Sequence, residues 1–190
     1  VHAARGARGA VAGADILPPA TAPRAPRAAQ RALRQLKDEP AITLDHITIT
    51  LRANIELSED ITALRRVGAE GVGLYRTEFL FMNRESPPPE EEQFQIYRHT
   101  VKRLKGAPLT IRTLDLGADK EIVPGSSSCS TNPALGLRAI RLCLQEPELF
   151  LPQLRAIMRA SAYGPLRILI PMLTTPEEIP QVLGLINRVK

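Results

Sequence analysis

The chain has no tryptophan, and only 4% of its residues are aromatic, so any core it builds is aliphatic. It has two cysteines, Cys129 and Cys143. Two are too few for a disulfide scaffold and point to a reducing compartment, the cytoplasm. Long hydrophobic runs are also missing. Stretches such as Leu166–Leu173 are interrupted by Arg167 and Pro171 and fall far short of the ~20 residues that span a bilayer, so no membrane segment is expected. The three histidines, His2, His46 and His99, are isolated. None has a partner at metal-ligand spacing; His46 is expected at a strand edge and His99 on a solvated helix. What remains, 44% hydrophobic and 24% charged over 190 residues, is the composition of one soluble domain.

The formal charge is +5 at pH 7, but it is unevenly placed. Residues 1–30 hold Arg5, Arg8, Arg24 and Arg27 against Asp15, which is 4 − 1 = +3. The remaining residues carry only 5 − 3 = +2. A basic surface for nucleic acid is therefore not indicated on the folded part, and no aromatic interleaving supports one. Residues 1–30 are rich in Ala, Arg, Pro and Gly and are expected to form a low-complexity linker or disordered tail. Residues 31–190 are expected to form the folded domain.

From Arg31 the pattern alternates between two periods. Ile47, Ile49 and Leu51 alternate with Thr48, Thr50 and Arg52, which predicts a strand. Ser58 is then expected to cap a helix whose inner stripe is Ile61, Leu64 and Val67. Gly71–Phe79 reads as a second, buried strand. A helix from about Glu90 to Lys105 follows, acidic at its start and basic at its end, with Gly106 closing it and Phe94, Tyr97, Val101 and Leu104 on one face. Leu109–Leu116 reads as a third strand and Gly117–Thr131 as a loop. Asn132 and Pro133 form an N-cap and first-turn pair for the next helix. A further helix over Glu146–Ala160 is predicted to turn Leu151, Leu154 and Met158 inward. Leu166–Leu173 is a fourth strand, and a last helix opens at Thr175 with Ile179, Val182, Leu183 and Ile186 at helical spacing. Four βα units in succession predict an α/β fold with a parallel sheet. The sheet is either open and doubly wound or the first half of a (β/α)8 barrel.

Ligands of such folds bind where strands end, and three arginines fall there. Arg76 is late in the second strand, Arg112 lies in the third, and Arg138 sits near the start of the helix after Asn132-Pro133. A guanidinium fork matches two oxygens of a carboxylate or phosphate. Within an apolar strand it costs several kcal/mol unless paired. Two explanations stay open: a polyanionic ligand, or acids such as Glu78, Asp115, Asp119 and Glu121 that neutralise the arginines. Asp115, Asp119 and Lys120, around a Gly turn, are candidates for supporting positions behind them. Cys129 and Cys143 lack an activating neighbour and are expected to be non-catalytic.

At these arginines the sequence resembles a known family. Gly68-Ala-Glu-Gly-Val-Gly-Leu-Tyr-Arg-Thr-Glu-Phe-Leu-Phe-Met82 is similar to Enzyme I of the phosphoenolpyruvate:sugar phosphotransferase system, the phosphoenolpyruvate–protein phosphotransferases. Glu90-Glu-Glu-Gln-Phe94, Arg112-Thr-Leu-Asp-Leu-Gly-Ala-Asp-Lys120, Asn132-Pro-Ala-Leu-Gly-Leu-Arg-Ala-Ile-Arg141 and the stretch from Gln153 to Ser161 agree in order and spacing. The resemblance implies the first half of a phosphoenolpyruvate-binding (β/α)8 TIM barrel, in which Arg76, Arg112 and Arg138 hold the phosphate and carboxylate of phosphoenolpyruvate. It implies Mg²⁺ as cofactor, with ligands in the second half of the barrel. It also implies phosphoryl transfer to a histidine of the same enzyme and on to a histidine-containing phosphocarrier protein, for sugar transport, by a cytoplasmic homodimer. The phospho-accepting histidine motif of that family is not found, so no catalytic residue is assigned and the chain alone is expected to be inactive. Two other readings remain: part of a pyruvate,phosphate dikinase or phosphoenolpyruvate synthase, and a half-barrel without catalytic activity that is inert or a binding module.

Overall fold

The computed structural model describes residues 36–82, 84, 86–116 and 136–190. Residues 1–30, Asp119, Lys120, Glu121, Cys129 and the Asn132-Pro133 pair lie outside the described residues. Four strands, β1 (Ala53–Ile55), β2 (Val72–Arg76), β3 (Leu109–Arg112) and β4 (Leu166–Leu169), form one sheet in the order β1-β2-β3-β4. All three pairings are parallel. The five helices described are α1 (Ile61–Arg66), α2 (Glu90–Leu104), α3 (Ala139–Gln145), α4 (Pro147–Ser161) and α5 (Glu178–Val189). The α/β class and the parallel sheet agree with the alternation of periods. None of the described helices is long and apolar enough to cross a membrane.

The first strand lies further along the chain than its alternation predicts. Ile47 and Ile49 are exposed, and among the described residues this segment's one β-bridge is the isolated antiparallel one of Ile42 with Thr48. Ala53 and Ile55, which pair with β2, are the buried ones. A period of two marks an extended chain but not which part of it finds a partner. His46 sits at φ 64° in a turn, not at a strand edge. Ser58 is no cap either: its hydroxyl donates to the Glu59 side chain, while Asp60 accepts from the backbone N–H groups of Glu56 and Leu57. Residues Ser58–Asp60 form a 3-10 turn before α1, and Val67 is exposed instead of completing the inner stripe.

β2 and β3 are shorter than predicted. β2 ends at Arg76, and a 3-10 turn, Glu78–Leu80, follows with Phe79 exposed. α2 matches its charge and apolar pattern: Phe94, Tyr97, Val101 and Leu104 are all buried. It ends on Lys105 at φ 52° and Gly106 at φ 94°, the left-handed close that glycine favours. α4 shows another face than predicted. Phe150, Gln153, Leu154, Ile157 and Ala160 are buried, whereas Leu151 and Met158 are only half-buried. A polar glutamine inside the stripe disguised it. α2 and α4 pack most extensively on each other. The contact is laced by Arg155 and Arg159, which donate to Glu90 at 2.5 and 2.9 Å, and by Arg159 to Glu91 at 2.7 Å. The Arg155 guanidinium, helped by Arg159, holds the Glu90 carboxyl below the usual carboxylate range. In α5, Val182 is buried while Ile179 and Leu183 are exposed. Glu178 accepts from the backbone N–H groups of Thr174 and Thr175.

Cys143 is buried in α3, and burial pushes its thiol up to about 12. It packs in the apolar core, which fits a packing role. In a Cys129→Ser background, the folded chain is expected to resist thiol alkylation at pH 8 and to react only as fast as it unfolds. Labelling at the rate of a free thiol would contradict this burial.

Candidate functional site

The site is built at the carboxyl ends of β2 and β3. Tyr75 and Ile111 are register partners, and so are Arg76 and Arg112. Successive strand residues point to opposite faces. Tyr75 meets Tyr97 of α2 edge-on, with ring centroids 6.2 Å apart, so one face of β2 is sealed by α2. Burial pushes the Tyr75 phenol up to about 12 and the Tyr97 phenol higher still, and both remain neutral hydrogen-bonding groups. Arg76 and Arg112 stand side by side on the other face. The apolar residues that precede them close the core below and leave the guanidiniums at its rim.

Acids answer each guanidinium. Arg76 donates to Glu56 at 2.9 Å, where both side chains are about two-fifths exposed. Arg112 reaches Glu78 at 2.6 Å and Asp115 at 3.1 Å, with only 22%, 10% and 13% of these three side chains exposed. Arg138, the residue at the N-terminus of α3, donates to the other oxygen of Asp115 at 3.1 Å. One carboxylate thus bridges two arginines from separate elements. α3 is tied to the strand end again by the Ala139 N–H, which donates to the Leu116 carbonyl at 3.0 Å.

Three arginines face three carboxylates, Glu56, Glu78 and Asp115, for a formal sum of zero. Burial of the Arg112 pair makes this pairing necessary, since a guanidinium lacking a partner there would cost several kcal/mol. The cluster nevertheless retains donors. Arg76 and Arg138 engage their carboxylates through one terminal nitrogen each. The Nε atoms of Arg112 and Arg138 are buried without a hydrogen-bond partner among the described residues. Orphaned buried N–H groups are rare in folded proteins and call for an explanation. The arrangement can orient a small anion through charge-assisted bonds from several directions. Among the described residues, no group of three or more His, Cys, Asp or Glu is placed to hold a metal.

The structure therefore brings together Arg76, Arg112, Arg138 and Asp115, and Glu78 joins them as a neutralising acid. Two participants escape the sequence. Glu56 follows Ile55, the register partner of Tyr75, so it stands at the end of β1 as Arg76 stands at the end of β2; the misplaced first strand hid it. Gln153 is fully buried and hydrogen-bonds to Thr77 and to the Leu114 N–H. Its signal was a polar residue at core spacing in α4.

Comparison with known proteins places the chain in a family. The family described as "PEP-utilising enzyme, PEP-binding domain" matches residues 30–190. A phosphoenolpyruvate-protein phosphotransferase of Cupriavidus necator is 54% identical over 164 residues, covering 85% of this chain and 28% of that protein. Proteins of the same name from Haemophilus influenzae and Staphylococcus epidermidis are 48% and 46% identical, covering 83% and 78% of this chain. The chain spans 28% and 26% of their respective lengths. With everything beyond its first 29 residues matched, the chain belongs to the family of PEP-binding domains of PEP-utilising enzymes.

Proposed function

We propose that this chain is the first half of the phosphoenolpyruvate-binding barrel of a phosphoenolpyruvate–protein phosphotransferase, and that Arg76, Arg112 and Arg138 hold the two anionic groups of phosphoenolpyruvate. The observation that carries this reading is that Arg112 and Arg138 share Asp115 while Arg76 stands beside Arg112 in register, with two buried Nε donors unpartnered among the described residues. Support for the barrel comes from the strand order. A doubly wound sheet reverses its order at a switch point, whereas β1-β2-β3-β4 runs in sequence without reversal. Leu169, Met172 and Leu173, at and beyond β4, are exposed, as expected of a sheet that continues into further strands. In this reading the barrel half occupies residues 31–190 and residues 1–30 are a linker.

Phosphoryl transfer asks a protein chiefly for positioning and charge stabilisation. Guanidiniums braced by carboxylates supply both before the ligand arrives, so little reorganisation is needed on binding. The parent enzyme would pass the phosphoryl group to its own histidine and then to a histidine-containing phosphocarrier protein, as a cytoplasmic homodimer serving sugar transport. Mg²⁺, when bound, supplies further charge neutralisation. The described residues do not form a site for it, and its ligands are assigned to the second half of the barrel. Asp119 and Lys120 keep their proposed supporting roles beside Asp115.

Titration calorimetry on the full chain tests the reading. Phosphoenolpyruvate is expected to bind at least ~10-fold more tightly than inorganic phosphate or pyruvate, because a second charge-assisted contact contributes about 1.5–3 kcal/mol. Equal affinity for all three, or no binding, would overturn the assignment and favour a half-barrel that does not recognise this ligand.

A further inference from the structure

We infer that Gln153, in the middle of α4, is a positioning residue for the arginine cluster, holding together the two chain segments that leave β2 and β3. The inference rests on the anion site proposed above. Gln153 is fully buried. Its Nε2 donates to the Thr77 hydroxyl at 3.1 Å and to the Tyr97 hydroxyl at 3.3 Å. Its Oε1 accepts from the Leu114 N–H at 3.0 Å. A carboxamide has two N–H donors, and both are used.

The partners give this network its direction. Thr77 directly follows Arg76, and its hydroxyl donates to the Arg112 carbonyl at 2.9 Å. Leu114 lies two residues beyond Arg112. One buried side chain thus clamps the backbone after both strand-end arginines, while Thr77 ties one segment to the other. The network is anchored away from the site. Tyr97 donates onward to Gln93 at 3.2 Å, and Gln93 donates to the Pro88 carbonyl at 2.9 Å. Fully satisfied buried networks of this kind rigidify the elements that they join. Filling the core would require only an apolar residue here, as at Phe150, Leu154 and Ile157. Satisfying the Leu114 N–H would require only an acceptor. Neither accounts for the donor aimed at Thr77, whereas fixing the register of the two arginines does.

The test uses the full chain, with Gln153→Met, which keeps length and loses both polar atoms, and Ile157→Ala as a core variant in the same helix. Both are compared well below their unfolding midpoints. Gln153→Met is expected to raise the Kd for phosphoenolpyruvate at least ~10-fold, since misplacing a reacting or binding group by on the order of 1 Å has effects of this size. Ile157→Ala is expected to stay within about twofold, as it truncates the core but keeps every hydrogen bond from Gln153 to Thr77 and Leu114. The Arg112 Nε–Hε resonance in nitrogen-15 NMR is expected to move in the first variant and not in the second. Should Gln153→Met fail to fold, Thr77→Val, which deletes only the central hydroxyl, is expected to show both effects, with Thr77→Ser restoring them. An unmoved resonance together with unchanged affinity would overturn the positioning role. Failure of the unmodified chain to bind phosphoenolpyruvate would overturn the functional reading instead, and the resonance alone would then decide the role of Gln153.

Discussion

Arg112→Ala is expected to weaken phosphoenolpyruvate binding at least ~10-fold and to destabilise the fold in the same stroke. The binding loss follows from removing a charge-assisted bond to an anion, about 1.5–3 kcal/mol. The stability loss follows from the other side of the cluster. Glu78 and Asp115 are 10% and 13% exposed and both lean on Arg112, so its removal leaves two largely desolvated carboxylates with too little positive charge. Breaking fully buried pairs costs about 3–5 kcal/mol, and exposed pairs are worth under about 1. For this nearly buried group, roughly 2–4 kcal/mol is expected in urea unfolding at neutral pH. Arg112→Lys keeps the charge but not the planar fork that reaches Glu78 and Asp115 at once, so it should fall between the two. An alanine variant that binds as the unmodified chain does would remove Arg112 from the site.

Phe150→Ala is expected to be the most damaging truncation in the core, at about 3–5 kcal/mol. The ring is 1% exposed and belongs to the main apolar cluster. Domains have only about 5–15 kcal/mol in hand. At roughly 2–4 °C per kcal/mol for a chain of this size, Tm should fall by about 6–20 °C. The neighbouring Leu151 is half-buried, and Leu151→Ala should cost about 1 kcal/mol or less. Thermal unfolding of the pair therefore checks which face of α4 is inward. Equal costs would mean that the helix is rotated from the orientation described.

The fold class was legible because each element of the βα alternation has its own period, and the two periods follow one another along the chain even where an element's exact face or length was missed. α2 was legible almost to the residue, since its acids, bases, apolar face and closing Gly106 all agree. Elements whose signals conflict were not. The Ile47–Leu51 alternation is as regular as a strand's, yet pairing with β2 goes to Ala53–Ile55, a choice that depends on a distant segment. The stripe of α4 was misjudged because Gln153 is polar, and its hydrogen bonds run to residues 39 and 76 positions earlier.

The same division holds for the site. The order of residues alone determined that arginines stand at successive βα junctions, and that the chain is rich enough in nearby acids to neutralise them. Only the folded chain decided which acid answers which arginine: Glu56 for Arg76, and Asp115 shared by Arg112 and Arg138. An ion pair is specified by a few ångströms of distance and by burial. Both arise from the parallel register of β1, β2 and β3 and from the docking of α3 and α4, contacts between segments far apart in the chain that no local pattern encodes.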